Sequence, residues 1–199
     1  MLSEPTRAAV AEYFTGVVER ALRRRIELEP WDLERERSDR PIDFALVPEE
    51  VWKASRFERS YTTSRGSAWE QIAALIAADN FGHAERNSRY VGELYQEQLA
   101  QIQRILNELD SRARAPDWDE ELASVLAAET GDLVQVTVVA DVHVWDDHGH
   151  REFFEVKAPR PNSDQTKVSK EKMLKLSTML GRTCAYFALP YNPYGTRAA

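Results

Sequence analysis

The chain has 199 residues, 43% of them hydrophobic and 30% charged, with a net charge of −7, a composition that excludes disorder and leaves room for one domain with a sizeable core. A single cysteine, Cys184, excludes an intrachain disulfide framework and a Cys-rich zinc module. No apolar run approaches the roughly 18 residues of a membrane span, and MLSEPTRAAV lacks an apolar signal core, so a soluble, cytoplasmic protein without a membrane partner is expected.

The acidic balance argues against nucleic acid, but its distribution does not. Arg151 to Arg182 holds eight basic and four acidic residues, a stretch of +4 within a chain of −7. A local basic stripe of this kind is a candidate phosphate footprint.

In chain order, Val10, Phe14, Val17, Val18, Ala21 and Leu22 fall on one helical face behind Pro5. The charged stretch LERERSDRP reads as irregular. Pro48 opens a short helix, PEEVWKASRF, and Ser67 starts another, SAWEQIAALIAA. A long helix is expected from Ser88 to Arg112, on the stripe Tyr90, Val91, Leu94, Leu99, Ile102, Ile105, Leu106 and Leu109, with Pro116 beyond its end. DEELASVLAAE forms a further helix that stops before Gly131.

The period then changes to two. Val134 to Trp145 alternates, with Val136, Val138, Ala140, Val142 and Val144 on one face. Asp146 to His150 is a turn cluster, and Glu152 to Ala158 is the returning strand. A helix near Thr166 to Leu180 crosses over to a last strand, TCAYFALP, which can then lie parallel to the second strand. The expected class is α/β (α+β), a mixed sheet flanked by helices. It forms a single domain over residues 1–199, helical over 1–130, with the catalytic sheet core at 131–199.

The hairpin carries the chemistry. If residues 146–150 form the turn, Trp145 pairs with Arg151 and Asp141 lies opposite Glu155. Both carboxylates then share one face, with Cβ atoms about 4.5–5.5 Å apart and the carboxylates within about 6 Å. Lys157 follows on that face. Opposed like charges need a cation. Two carboxylates and a backbone carbonyl are hard oxygen ligands that suit Mg²⁺. Such an ion activates water and stabilises a phosphate under attack, and Lys157 could position that water or stabilise the transition state. The competing reading is a solvated sheet face with Lys157 as a salt-bridge partner.

The pattern D-(x13)-E-x-K on a hairpin resembles the PD-(D/E)XK nuclease superfamily. The fuller strings FFEVKAPRPNSDQTKVSKEKMLKL and YFALPYNPYG, with TTSRGSAWEQIAALIA upstream, resemble a group of type II restriction endonucleases, over about Tyr61 to Gly195. The resemblance implies a restriction-endonuclease-like core and Mg²⁺-dependent hydrolysis of double-stranded DNA at a short sequence, leaving 5′-phosphate and 3′-hydroxyl ends. Asp141 and Glu155 match the metal ligands, the Val156 carbonyl the main-chain ligand, Lys157 the catalytic lysine and Glu70 an additional helix glutamate. Ala140 stands where the name motif has proline. Further structure is expected beyond Ala199.

Other residues have two readings each. Ser67-Ala68-Trp69-Glu70 has capping-box spacing, which gives Glu70 a structural alternative. Gln165, Lys167 and Lys170, with Arg160 in the APRPN turn, are expected to meet DNA phosphates; the alternative is a solvated basic face. Arg65 is a lesser phosphate candidate. His143, His148 and His150 lack a fourth ligand at zinc spacing and read as surface histidines, with His143 also able to meet DNA or the metal's water shell. The 88–112 stripe reads as core, part of it available to a homodimer on a palindromic site. Two rival functions remain: a repair-type nuclease of the same superfamily, and a non-catalytic DNA-binding module that keeps the fold.

Overall fold

The computed structural model describes residues 2–24, 32–193 and 195, without the side chains of Leu33, Ser60, Thr63, Ser64 and Arg65. The side chain of Arg65 therefore lies outside the described residues. Contacts divide the chain into two units, Met1–Ile72 and Ala73–Ala199.

In the first unit, α1 spans Glu4–Arg23 and starts where the Ser3 side chain accepts from the Thr6 amide at 3.3 Å. Val17 and Ala21 are its buried residues, as the apolar spacing requires. LERERSDRP is not irregular. It forms α2 (Leu33–Asp39), capped by the Asp32 carboxylate on the Arg35 amide at 3.0 Å, and leads into α3 (Pro41–Leu46), with Pro at the first turn. Charge had hidden the cap.

The two helices expected at 48–57 and 67–78 are one, α4 (Glu49–Phe81). Gly66 stays in the helix, at a cost of roughly 1 kcal/mol that packing of Ala68 and Ile72 can offset. Ser67 is thus interior, and the capping-box alternative for Glu70 falls away. The boundary between the two units lies within α4.

The second unit holds a four-stranded sheet in the order β1-β2-β3-β4, with β1 at His83–Tyr95, β2 at Leu133–Trp145, β3 at Arg151–Val156 and β4 at Ala185–Ala188. β1 and β2 are antiparallel, as are β2 and β3, while β3 and β4 run parallel as the crossover demanded. The long helix expected from Ser88 is corrected. Residues 83–95 are β1, and only Gln96–Asp110 is helix, α5. Tyr90, Val91 and Leu94 fit either period, and pairing along nearly the whole of β2 decides for strand. Asn87, Ser88 and Gly92, poor helix formers, were the signal. Gly92 has a packing reason, since a Cβ there would meet Met179 Sδ at 2.8 Å.

Three helices cover this sheet unit. α5, α6 (Trp118–Leu126) and α7 (Ser163–Met179) close a core of Leu94, Ile102, Ile105, Leu106, Leu122, Val125 and Leu174. A second cluster joins Val138, Ala140, Phe153, Leu176, Cys184 and Ala185, so Cys184 is a core residue. No described helix is long and apolar enough to cross a membrane.

Candidate active site

The hairpin register is the one the spacing predicts, with Trp145 opposite Arg151 and Val142 opposite Phe154. Asp146 closes its turn, accepting from the His148 and His150 amides at 2.9 Å each. The ladder ends at Val142–Phe154, one position short of Asp141 and Glu155. On the other side of β2, pairing passes from Arg86–Val142 to Ser88–Ala140, with Asn87 at φ 51° opposite Asp141. A left-handed residue breaks the pleat there. The valine stripe breaks too. Ala140 packs in the cluster of Phe153, the partner of His143, whereas Val142 is paired with Phe154.

Asp141 stands in this gap. Its Oδ2 accepts from the Val156 amide at 2.9 Å, taking the place of a ladder bond and fixing the Val156 peptide. β3 stays with β4, with Glu155 opposite Phe187 and Val156 opposite Ala188, and the Lys157 amide donates to the Ala188 carbonyl at 3.0 Å. Lys157 Nζ lies 2.5 Å from Asp141 Oδ2, 3.2 Å from Glu155 Oε2 and 3.3 Å from the Val156 carbonyl. Those distances bring the two carboxylates within the limit set by the register. Four expected site groups thus meet at one point.

Glu155 is only 2% exposed. Burial, then the Asp141 charge, push its pKa up, and Lys172 and Lys157 pull it back. Lys157 is drawn down by burial, but its hydrogen bond to Asp141 and the charges of Asp141 and Glu155 outweigh that and leave its pKa above the ordinary lysine value. It is an ammonium, hence a donor.

Sequence reasoning missed Lys172 and Ser169, both on α7. Lys172 Nζ donates to both Glu155 oxygens at 3.0 Å, and Ser169 Oγ lies 3.5 Å from Glu155 Oε2. Ser169, Lys172 and Leu176 share one helical face, and Ser169 and Leu176 are buried, so a lysine within a buried stripe was the available sign.

His143 is half-buried, not on the surface. Its ring stacks on Phe153 at 4.5 Å, and Nδ1 lies 3.3 Å from Ser88 Oγ, which donates to Glu85 at 2.7 Å. Burial, then Arg151, lower its pKa. His148 and His150 are exposed.

The DNA candidates spread along the start of α7. Asn162 and Gln165 form its capping box, the Asn162 side chain accepting from the Gln165 amide at 2.8 Å, so Gln165 has a cap role. Arg160 is exposed in the preceding turn. Lys167 makes a 3.0 Å ion pair with Asp110. Lys170 forms an ion pair, outside hydrogen-bond geometry, with Oε2 of the fully buried Glu121 and lies over the Trp118 ring. Glu70 lies on α4 within the first unit, while the carboxylate–lysine cluster belongs to the second.

A parallel-edged mixed sheet whose hairpin gathers Asp, Glu and Lys around a main-chain carbonyl defines a restriction-endonuclease-like nuclease core. Residues 7–199 match the family model "Type II restriction endonuclease, HinfI", and the chain belongs to that family of restriction enzymes. The match begins well before the motifs that carried the resemblance. Three relatives from Herpetosiphon aurantiacus are type II restriction enzymes. HgiEI is 26% identical over 98% of this chain and 77% of its own length. HgiBI is 28% identical over 85% and 65%, and HgiCII 30% over 80% and 61%. The chain thus spans less than two thirds of the latter two. No solved structure matches it.

Proposed function

We propose that this chain is a Mg²⁺-dependent type II restriction endonuclease that hydrolyses phosphodiester bonds of double-stranded DNA at a short specific sequence. The observation that carries this reading is the convergence of Asp141 Oδ2, Glu155 Oε2 and the Val156 carbonyl on one cation, the Lys157 ammonium. The donor set is all oxygen and already attracts positive charge. Among the described residues no group of three or more His, Cys, Asp or Glu side chains gathers at a metal position. Two carboxylates and a carbonyl leave room for water and phosphate oxygens, which suits Mg²⁺ better than a closed zinc site.

Asp141, Glu155 and Val156 would hold the ion. When bound, it supplies an activated water and stabilises charge on the phosphate. Asp141 also orients Val156 through the amide bond it accepts. Lys157, held charged, donates to the attacking water or to a phosphate oxygen in the transition state. Glu70 belongs to this proposal on family resemblance. Each chain carries one such cluster and a duplex has two strands, so a homodimer is the working unit. Such an enzyme would meet its DNA in the cytoplasm.

Incubation with plasmid and phage DNA, with and without Mg²⁺, tests it. Discrete fragments only with metal are expected. A smear would make the protein a non-specific nuclease, and unchanged DNA would make it a binding module.

The basic face of α7 divides by its partners. Lys167 is held by an exposed carboxylate, a weak pair that a phosphate can replace. Lys167→Ala is expected to weaken binding about equally across sequences and flatten the salt dependence by roughly one unit of slope. We propose that Lys170 contributes first to stability. Lys170→Ala strands the Glu121 carboxylate in the core and is expected to cost about 3 kcal/mol in denaturant unfolding. A Lys170→Ala variant with parental stability and a reduced salt slope would return Lys170 to the phosphate face.

A further inference from the structure

Lys157 and Lys172 reach the carboxylate pair from different elements and share Glu155 Oε2. Lys157 follows β3 and contacts Asp141 Oδ2 and Glu155 Oε2. Lys172 comes from α7, donates to both Glu155 oxygens at 3.0 Å and lies 3.7 Å from Asp141 Oδ1. Two carboxylates and two ammoniums make the cluster neutral before any metal arrives. Glu155 is 2% exposed and the Lys172 side chain only 27%, so water and salt screen these charges poorly.

We propose that Lys172 is an internal counter-cation that keeps the metal affinity of the free protein low and couples metal uptake to the arrival of a DNA phosphodiester. The proposal rests on the reading of Asp141 and Glu155 as metal ligands. A divalent ion there adds two positive charges to a neutral, half-buried cluster. Lys157 has somewhere to go, because the attacking water and the phosphate both accept from it. Lys172 is retained by both Glu155 oxygens on a helix that is capped and packed into the core. Its charge therefore opposes the ion. A phosphodiester brings one negative charge and offsets that opposition. By linkage, metal must then strengthen phosphodiester binding by the same factor. Lys172 acts through charge on the metal position and is not required to touch the reacting atoms.

The test is calorimetric titration with Ca²⁺ at about pH 8 on the parent, Lys172→Met, Lys172→Arg and Asp141→Asn. Each is titrated alone and with a duplex carrying the sequence the parent cuts. Lys172→Met is expected to bind Ca²⁺ at least about tenfold tighter than the parent without DNA, the scale of one unit charge removed a few ångströms from a divalent ion. The ratio of its Ca²⁺ affinities with and without duplex is expected to shrink by the same factor. Lys172→Arg keeps the charge and should retain the parent's affinity and coupling, which separates charge from packing. Lys172→Met binding Ca²⁺ no tighter than the parent overturns the proposal, as does a Lys172→Arg that behaves like Lys172→Met. If Asp141→Asn binds Ca²⁺ as the parent does, with and without duplex, the metal lies elsewhere, and the reading of the site fails before the role of Lys172 is reached.

Discussion

Replacing Lys157 by Met is expected to lower the single-turnover cleavage rate at saturating Mg²⁺ and enzyme by at least about a hundredfold, the range of a lost transition-state donor. Methionine keeps an apolar stem and removes only the ammonium, so the loss is not one of packing. Single turnover separates chemistry from binding and product release. The alternative gives a different number. If Lys157 only balances the charges of Asp141 and Glu155, its loss alters stability and leaves no specific mark on rate. The geometry favours a larger role, because the same Nζ reaches the Val156 carbonyl as well as both carboxylates. Cleavage within a few-fold of the parent would remove Lys157 from the chemistry and most of the case for this active site with it.

Asp141→Ala is expected to abolish cleavage while DNA binding survives. The side chain proposed as a ligand also holds the local backbone, since Oδ2 accepts from both Lys157 Nζ and the Val156 amide. Asp141→Asn separates the two. Its amide oxygen can still accept from Val156, so the peptide keeps its place, but the anionic ligand is gone. Both variants should lose cleavage. Both lose the charged contact with Lys157, and Asp141→Ala loses the Val156 hydrogen bond as well, so it should be the less stable of the two by about 1 kcal/mol in thermal unfolding. Retention of DNA is read by mobility shift with Ca²⁺ absent, and undiminished cleavage by Asp141→Asn would refute the assignment as a ligand.

The hairpin was legible because it is local. Alternation from Val134, a five-residue turn and a return strand fix the register without knowledge of anything else in the chain. Asp141, Glu155 and Lys157 came with it. Residues 83–95 were not legible for the opposite reason. Their apolar spacing fits both periods, and what makes them a strand is β2, whose pairing partners begin some forty residues later in the chain. The merger into α4 was hidden by Gly66 and Ser67, punctuation that a helix tolerates when its neighbours are buried. Lys172 escaped because a basic helix reads as a solvated face. Only its contacts tell which lysine points inward. Lys170 shows the same limit, as nothing local announces that Glu121, on another helix, is buried beneath it.

The hydrogen bond from the Lys157 amide to Ala188 has a temporal meaning. The carboxylates and lysine sit on the middle of the sheet, yet the strand that anchors their backbone is made after the hairpin, beyond the whole of α7. Phe153 through Val156 gain their parallel neighbour only when β4 has crossed over behind α7. During synthesis the hairpin emerges first, with Lys157 at its free end and no carbonyl to receive its amide. Non-local pairing of this kind is a late event in folding. A site built this way stays unassembled until β4 has left the ribosome, and chains cut short before that point carry its residues without its geometry.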